Sequence, residues 1–221
     1  MAKVCTANEA VKCVLDGMSV MVGGFLAVGT PENLLDALIN TGATNLTLIA
    51  NDTAFPGKGV GKLQDHRRLS KVYTSYVGAH PDSGRCMETG EVEVVLTPQG
   101  TLAEQIRAAG AGLGGFLTPT GVGTVAAQGK QEINIAGKTY LLEMPLSADV
   151  ALIKAHKADE SGNLVYRRSA KNFNPLMATA AKIVIAEVEE IVPVGSIDPD
   201  QVMTPGIFVD YLVKGGNKHG R

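Results

Sequence analysis

The 221-residue chain has no tryptophan, few cysteines, four histidines and little net charge. A net charge of −2 argues against a broad nucleic-acid-binding surface. The three cysteines, Cys5, Cys13 and Cys86, form no Cys-x-x-Cys pair and have no histidine at ligand spacing. We therefore expect reduced thiols, no metal site and a cytoplasmic protein. No apolar run approaches the roughly 18 residues of a membrane span, and no signal-peptide pattern is apparent, so we expect no membrane partner.

Glycine, by contrast, is abundant, with 26 residues concentrated in discrete loops. The most informative stretch is Asp16–Pro31, in which Val20–Val22 predicts a buried strand. Gly23-Gly24 then predicts a sharp turn at which the backbone can approach a ligand. Thr30 followed by Pro31 predicts a helix N-cap and a first-turn proline. Because a helix N-terminus behind a glycine loop attracts anions, we expect a phosphate-bearing ligand here.

Apolar runs alternate with helical patterns along the chain, which predicts an α/β fold with a mostly parallel sheet flanked by helices. The predicted strands are Val20–Val22, Leu46–Ala50, Val72–Val77, Val92–Leu96, Val150–Ala155, Asn163–Tyr166, Lys182–Ala186 and, as an edge strand or a helix turn, Val209–Val213. The predicted helices are Ala7–Leu15, opened by the capping box Thr6-x-x-Glu9, then Pro31–Asn40, Thr101–Ala109 and Asn174–Ala181.

An antiparallel elaboration is expected where Gln131–Ile135 and Lys138–Leu142 flank Ala136-Gly137, because this turn favours a hairpin. We expect the hairpin to lie on the main sheet. No linker divides the chain, so we expect one domain over residues 1–213 and a flexible tail over residues 214–221.

The segment Asp16–Pro31 resembles the signature of the alpha (A) subunit of the 3-oxoacid CoA-transferase family. That signature is Asp/Asn-Gly, two variable residues, three apolar residues, Gly-Gly-Phe, three variable residues and Gly-x-Pro. The chain matches every fixed position, namely Asp16, Gly17, Val20, Met21, Val22, Gly23, Gly24, Phe25, Gly29 and Pro31. Further similar motifs are Asn51-Asp52, Thr97–Thr101, Gly110–Gly121 and Asn172–Pro175. The chain is most similar to bacterial members that act on acetate, acetoacetate or butyrate.

The resemblance implies a CoA-transferase-like fold and an exchange of CoA between an acyl-CoA and a short-chain carboxylate. In this family a glutamate of the beta subunit, in a Ser-Glu-Asn-Gly motif, forms the covalent intermediates. This chain has no such motif, and Asp159-Glu160-Ser161-Gly162 has the wrong order. The resemblance therefore implies a beta-subunit partner carrying the nucleophile, in a heterotetramer or a larger assembly. Coenzyme A is expected as substrate, with no permanently bound cofactor.

Two segments are candidates for contact with the reacting groups. The loop could contact CoA through Gly24, Phe25, Leu26, Ala27, Val28, Gly29 and Thr30, or could be an ordinary strand-to-helix turn. Gln99 is the best catalytic candidate, since a glutamine amide can donate a hydrogen bond to an oxyanion. Its alternative role is that of a helix N-cap, because a helix begins just beyond it.

A substrate pocket is expected from two further segments. Asn51 and Asp52 end a buried strand and are assigned to the pocket. Asn51 could hold the carboxylate substrate or orient the glutamate of the partner, or the segment could form an Asx turn. A carboxylate at Asp52 would repel an acid substrate unless it is paired. Gly114, Gly115 and Phe116 could form a wall of the acyl pocket, or the glycines could permit a close helix–strand crossing. Solvated or capping roles are expected for the two remaining candidates, His80 and His156.

Two other function classes are alternatives on a scaffold of this type. A non-enzymatic small-molecule sensor would carry a DNA-binding helix-turn-helix, for which the chain has no spare segment. A sugar-phosphate isomerase-like domain would need its own acid/base carboxylates beside a phosphate loop, and only Asp52 and Glu104 are available.

Overall fold

A nine-stranded sheet forms the centre of the protein in the computed structural model, which describes residues 2–215. Its strands are β1 (Lys3–Val4), β2 (Ser19–Val22), β3 (Leu46–Ile49), β4 (Leu69–Thr74), β5 (Glu93–Leu96), β9 (Ala148–Asp159), β10 (Leu164–Val165), β11 (Ala181–Val192) and β12 (Tyr211–Lys214). The α-helices are α1 (Ala7–Ala10), α2 (Glu32–Thr41), α3 (Gly61–Asp65), α4 (Pro81–Thr89), α5 (Gln99–Gly110) and α6 (Asn174–Thr179).

The strands lie in the order β1-β12-β11-β9-β2-β3-β4-β5, and every neighbouring pair in this series is parallel. Only β10 pairs antiparallel, with β9. The strand order changes direction between β2 and β9: β3, β4 and β5 follow on the far side of β2, whereas β11 and β12 follow on the far side of β9. This topological switch point lies in the middle of the sheet, and ligands of open parallel sheets bind at the carboxyl ends of such strands.

Helices cover both faces of the sheet, which explains why β2 is a continuous apolar run. Val20 and Val22 face one core together with Leu34 and Leu38 of α2. Met21 points to the opposite core, which is filled by α5 and α6. The predicted mostly parallel sheet with flanking helices is therefore confirmed.

A separate three-stranded antiparallel sheet consists of β6 (Phe116–Thr118), β8 (Lys138–Glu143) and β7 (Glu132–Ile135), in that order. The predicted hairpin is present as β7 (Glu132–Ile135) and β8 (Lys138–Glu143). Ala136 and Gly137 form its turn with φ values of 50° and 79°. The hairpin does not extend the main sheet. It is linked to α5 through Glu143, which accepts a hydrogen bond from Gln105 at 2.9 Å.

Several boundaries differ from the sequence-based expectations. The first helix ends at Ala10 and continues as one 3₁₀ turn, although its capping box is confirmed. The final strand β12 is internal, because β1 pairs along its outer side. It reaches Lys214, and Gly215 still donates a backbone hydrogen bond to Val188. The remainder of the predicted tail, residues 216–221, lies outside the described residues.

Candidate functional site

The glycine loop, residues 23–30, leaves the carboxyl end of β2 at the switch point and leads into α2. Phe25 and Val28 exchange two backbone hydrogen bonds of 3.0 and 2.9 Å, forming a minimal hairpin. Leu26 and Ala27 form its tip with φ values of 45° and 70°. Two consecutive non-glycine residues in the left-handed region carry a cost of about 1 kcal/mol or more each. Such strain persists only where surrounding contacts hold the loop.

Asp52 holds the loop from one side. This residue is 4% exposed and its carboxylate accepts the N–H of Leu26 at 2.9 Å. It also accepts the N–H of Ala54 at 2.8 Å, which is the Asx turn considered as an alternative above. The side-chain amide of Asn51 donates to the same carboxylate at 2.7 Å, and Asn51 is 2% exposed. Both side chains therefore support the loop, and their contact with substrate stays a prediction.

Two asparagines that follow the 3₁₀ helix Arg168–Lys171 hold the loop from the other side. The Asn172 side chain accepts from the Gly24 N–H at 3.1 Å and donates to the Val28 carbonyl at 2.9 Å. Asn174 donates to the Gly29 carbonyl at 3.0 Å. These bonds span about 145 residues of sequence and fix the loop across the switch point.

The two glycines after β2 make room for the protein's own side chains. A Cβ atom on Gly23 would lie 1.8 Å from the Asn174 Oδ1 atom, and one on Gly24 would lie 2.2 Å from the Thr30 hydroxyl. Close approach of the backbone at these two glycines is thus required by the protein's own side chains, and their approach to a ligand stays a prediction.

The N-terminus of α2, which follows the loop, is already hydrogen-bonded to an anionic side chain of this chain. Glu187 on β11 accepts the N–H groups of Asn33 and Leu34 at 2.9 and 3.1 Å. Its carboxylate also accepts from the Lys154 ammonium at 2.9 Å, and the Glu187 side chain is 2% exposed. The predicted phosphate site at this helix end is therefore wrong. The predicted Thr30 cap is wrong as well, since Pro31 occupies the N-cap position and makes no side-chain cap.

Most backbone donors of the loop are also taken. Hydrogen bonds within the chain use the N–H groups of five loop residues, namely Gly23, Gly24, Phe25, Leu26 and Val28. Within residues 2–215 the N–H groups of Ala27, Gly29 and Thr30 have no such partner. Phe25 and Val28 are 45% and 50% exposed, so the loop presents an apolar surface at the switch point. The predicted contact of residues 24–30 with CoA stays a prediction.

Gln99 follows the edge strand β5 and is the first residue of α5. Its side chain is exposed, and Pro98 occupies the N-cap position, so Gln99 is not the cap that was considered as an alternative. Strands of a sheet are about 4.8 Å apart, which places Gln99 roughly 10 Å along the edge from the end of β3. The site is therefore a broad edge, with Tyr76 exposed between Gln99 and Asn51.

The second glycine-rich segment divides into two parts. A Cβ atom on Gly110 would lie 2.0 Å from the Thr179 hydroxyl, so this glycine permits the close crossing of α5 and α6. Gly114 has open space around it, and Phe116 is half-buried at the start of β6, opposite Glu143. Gly115 lies against the Glu143 carbonyl, 3.0 Å from its hypothetical Cβ. The role of residues 114–116 in an acyl pocket stays a prediction.

Carboxylates near the carboxyl edge have structural partners. Asp159 accepts the backbone N–H groups of Ser161 and Asn163, each at 3.0 Å. Burial alone raises the pKa of Asp159, but hydrogen bonds from Asn163 and Ser161 outweigh it and lower the pKa. His80 is buried against Asp65 at 3.1 Å, and His156 bonds Glu189 at 2.9 Å. His80 is therefore not solvated, although it does occupy the N-cap position of α4.

The part of the chain that the structure describes contains no group of His, Cys, Asp or Glu side chains arranged to hold a metal ion. Over the same residues, no helix combines the length and the apolar character that crossing a membrane requires. Cys5, Cys13 and Cys86 are free thiols.

Sequence reasoning missed Glu187, Asn172 and Asn174 as determinants of the site. Glu187 could have been singled out from the sequence, because it is a charged residue inside an apolar run that is typical of a strand buried on both faces. The two asparagines lie in the Asn172–Pro175 motif, whose local sequence predicts only the start of a helix. Their contacts with residues 24–29 are non-local, and no local pattern reports them.

An open parallel sheet with a glycine loop at its switch point is typical of α/β domains that bind ligands at the carboxyl edge of the sheet. Comparison with known proteins identifies the family. Residues 4–215 match the model of the family described as Coenzyme A transferase. The chain belongs to the coenzyme A transferase family.

Two curated relatives are similar over nearly their whole length. The chain is 54% identical to the acetate CoA-transferase subunit alpha of Escherichia coli (strain K12) over 211 residues, covering 96% of each chain. It is 52% identical to the acetoacetyl-CoA:acetate/butyrate CoA transferase alpha subunit of Clostridium acetobutylicum, covering 90% of this chain and 91% of the relative.

A solved acyl-CoA transferase from E. coli O157:H7, in a thioester complex with CoA, has the same fold with a TM-score of 0.87 at 22% identity. The alignment covers 97% of this chain and 47% of that chain, so the present chain corresponds to about half of the larger protein. The comparisons do not support the sensor and isomerase alternatives.

Proposed function

We propose that this chain is the alpha subunit of a two-chain CoA-transferase that moves CoA between a short-chain acyl-CoA and a carboxylate such as acetoacetate or butyrate. The partner is a beta subunit that supplies the nucleophilic glutamate, in a heterotetramer or a larger assembly. The observation that carries the proposal is the 54% identity to an alpha subunit over 96% of both chains.

The reaction proceeds in two half-steps. The glutamate carboxylate of the partner attacks the thioester carbonyl, forming an acyl-glutamyl anhydride and releasing the CoA thiolate. The thiolate then attacks the glutamyl carbonyl, which gives an enzyme–CoA thioester and frees the first carboxylic acid as its anion. The second carboxylate reverses both steps and leaves as the new acyl-CoA. No metal or redox step is required.

The geometry of this chain suits the half of the site that lacks a nucleophile. Among the described residues, Asp52 is the carboxylate bound directly to the glycine loop, and its two oxygens already accept three hydrogen bonds. An anion with three donors and little solvent is a poor nucleophile. The chain instead offers the apolar surface of Phe25 and Val28 as a wall that excludes water from the anhydride and the thioester.

Gln99 serves in this proposal as the supporting donor for the oxyanion that forms at the attacked carbonyl. An exposed amide at the start of α5, next to the carboxyl end of β5, can point into a crevice shared with a second chain. A preorganised donor of this kind lowers the barrier by about 3 kcal/mol.

Steady-state kinetics of the co-expressed pair test this role. We expect Gln99→Ala to lower kcat by roughly 100-fold while the affinity for CoA is unchanged, because the bond forms only as charge develops. Gln131→Ala is the matched control, since Gln131 is an exposed glutamine beside the antiparallel sheet. A full-rate Gln99→Ala enzyme would remove Gln99 from the mechanism.

The subunit assignment has its own test. The purified chain should have no transferase activity, and mixing it with a partner chain carrying Ser-Glu-Asn-Gly should restore activity. Comparing acetate, butyrate and acetoacetate as acceptors in the same assay then defines the substrate range. One methylene group is worth only about 1–3 kcal/mol in an apolar pocket, so activity with several acids is expected.

A further inference from the structure

Phe55 is a large apolar residue whose side chain is exposed close to the glycine loop. It is 41% exposed, whereas the preceding residue, Ala54, is buried, so the backbone turns the small side chain inward and the ring outward. Both residues belong to the β3–α3 loop (residues 53–60), which follows Asp52 and leads into α3. Isolated apolar side chains are common on protein surfaces, but the backbone that carries Phe55 is held by several specific contacts.

Three carboxylates from three different elements fix the β3–α3 loop by accepting its backbone N–H groups. They are Asp52 with Ala54 at 2.8 Å, Asp65 with Gly57 at 2.7 Å, and Glu32 with Gly59 at 2.9 Å. Hydrogen bonds to a charged acceptor are stronger than those between neutral groups. The loop is therefore anchored along its length and not only at its ends.

Backbone strain occurs at the residue directly before Phe55. Ala54 has a φ of 51°, although it is not a glycine. Such a conformation persists only where the surrounding structure imposes it, and it clusters at ligand-binding sites. Next to it, the Phe55 carbonyl lies 2.1 Å from the position that a Cβ atom on Gly61 would take, so this peptide is closely packed as well. The strain and the packing together fix the direction in which the Phe55 side chain leaves the backbone.

Asp52 joins the β3–α3 loop to the glycine loop. Its Oδ2 atom accepts the N–H of Leu26 at 2.9 Å, and its Oδ1 atom accepts the N–H of Ala54 at 2.8 Å. Phe25 precedes Leu26 and Phe55 follows Ala54, and the two phenylalanines are exposed to similar extents, 45% and 41%. Each phenylalanine is thus one residue from a peptide group bound to the same buried carboxylate. Both border the carboxyl edge where β2 and β3 end.

This edge is where the acyl group reacts in the proposed mechanism. The partner's glutamate attacks a carbonyl at the edge, so the remainder of the acyl group lies against the side chains that border it. Acetate, butyrate and longer unbranched acids differ only in their number of methylene groups, and only contact with the apolar tail distinguishes them. A mobile side chain would move aside for a longer tail. A ring on a fixed backbone limits the length that fits, because crowding an extra methylene against it costs free energy.

We infer that Phe55 is a specificity-determining residue, whose ring limits the length of the acyl chain that the enzyme accepts. The inference rests on the proposed function and deepens it, since it names the side chain that separates short acids from longer ones. Asp52 has a part in this selection through its bonds to both loops, which hold the ring in place.

Competition between two acids in one reaction tests the role of Phe55. The complete two-chain enzyme receives acetyl-CoA with equal concentrations of butyrate and hexanoate, and butyryl-CoA and hexanoyl-CoA are quantified by mass spectrometry at low conversion. The product ratio equals the ratio of the two kcat/KM values, and it does not depend on how much enzyme is folded or assembled. We expect Phe55→Ala to raise the ratio of hexanoyl-CoA to butyryl-CoA about tenfold, which corresponds to about 1.4 kcal/mol.

Two further variants complete the experiment. Phe55→Leu keeps an apolar side chain of intermediate size, so it should give an intermediate ratio, and it decides the question if Phe55→Ala does not assemble. Phe208→Ala is the matched control, because Phe208 is 38% exposed and lies on a 3₁₀ helix that packs against Ser161, away from the β3–α3 loop. It should change the ratio less than twofold.

An unchanged product ratio in the Phe55 variants would overturn the inference, and so would an equal change in Phe208→Ala. A fall in the rates with both acids at a constant ratio would also overturn it, because a purely structural role lowers both rates alike. Failure of the unsubstituted complex to form any acyl-CoA product would instead count against the proposed function, so the two failures are distinguishable.

Discussion

Replacing Glu187 with glutamine removes one charge from the interior with almost no change of shape. In the structure this carboxylate accepts two backbone N–H groups of α2 and the ammonium of Lys154, whose side chain is 14% exposed. Glutamine retains one acceptor oxygen but leaves Lys154 without a counter-charge. Breaking a buried pair by removing one partner costs roughly 3–5 kcal/mol. We expect about 3 kcal/mol for Glu187→Gln, because one acceptor remains.

Lys154→Met should cost less, about 2 kcal/mol, because Glu187 keeps both helix N–H groups and the favourable field of the helix N-terminus. The double variant should lose about 1–2 kcal/mol less than the sum of the single losses, since the two residues interact directly. Urea unfolding followed by circular dichroism measures all three values, and an unchanged m-value shows that only stability has changed.

A rescue experiment separates the helix-end anion from a general packing effect. Glu187→Ala opens a space next to two free N–H groups and the Lys154 ammonium. Formate should therefore restabilise this variant in proportion to its concentration, whereas formamide, which is similar in size but uncharged, should not. The reasoning is refuted if Glu187→Gln unfolds within 0.5 kcal/mol of the unsubstituted protein, or if formamide rescues Glu187→Ala as well as formate does.

Two further variants test the packing of the sheet and the loop. Lys182 and Ser19 hold the pKa of Asp149 at about 2, so its contribution to stability is present above about pH 4 and lost as pH falls toward 2. Asp149→Asn should cost about 1 kcal/mol at pH 7, after discounting for solvent exposure, and should flatten the stability profile between pH 4 and 2 in acid titrations of urea midpoints. Gly23→Ala should cost at least about 2 kcal/mol, because its Cβ would displace Asn174, whereas Gly84→Ala has open space and should raise stability slightly in the same assay. A neutral Gly23→Ala, or an acid profile unchanged by Asp149→Asn, would contradict these contacts.

The sheet was predictable because its central strands are buried on both faces. Val20–Val22 and Leu46–Ala50 are short apolar runs bounded by turn residues, and such runs have few other uses in a chain of this length. The helix α4 was missed, since only Ser83 and Cys86 of its nine residues are buried and no apolar face marks it. A helix that buries only one or two small side chains has too weak an apolar pattern to be detected from the sequence.

The position of the glycine loop was predictable from the sequence, whereas the group that binds the N-terminus of α2 was not. The loop lies at the switch point, as a glycine-rich turn after a buried strand suggests. Thr30 and Pro31 fit a local capping pattern. The group that accepts the N–H of Asn33 is instead the carboxylate of Glu187, which lies 154 residues away in sequence. Local rules describe which donors a helix end exposes. They do not describe which distant side chain the fold brings to those donors.

Trapping the covalent intermediate tests the central claim most directly. The two-chain enzyme is incubated with acyl-CoA and no acceptor acid, quenched, and each subunit is weighed by mass spectrometry. The account predicts a CoA adduct on a glutamate of the partner and an unmodified mass for this chain. A CoA thioester on any carboxylate of this chain would contradict it.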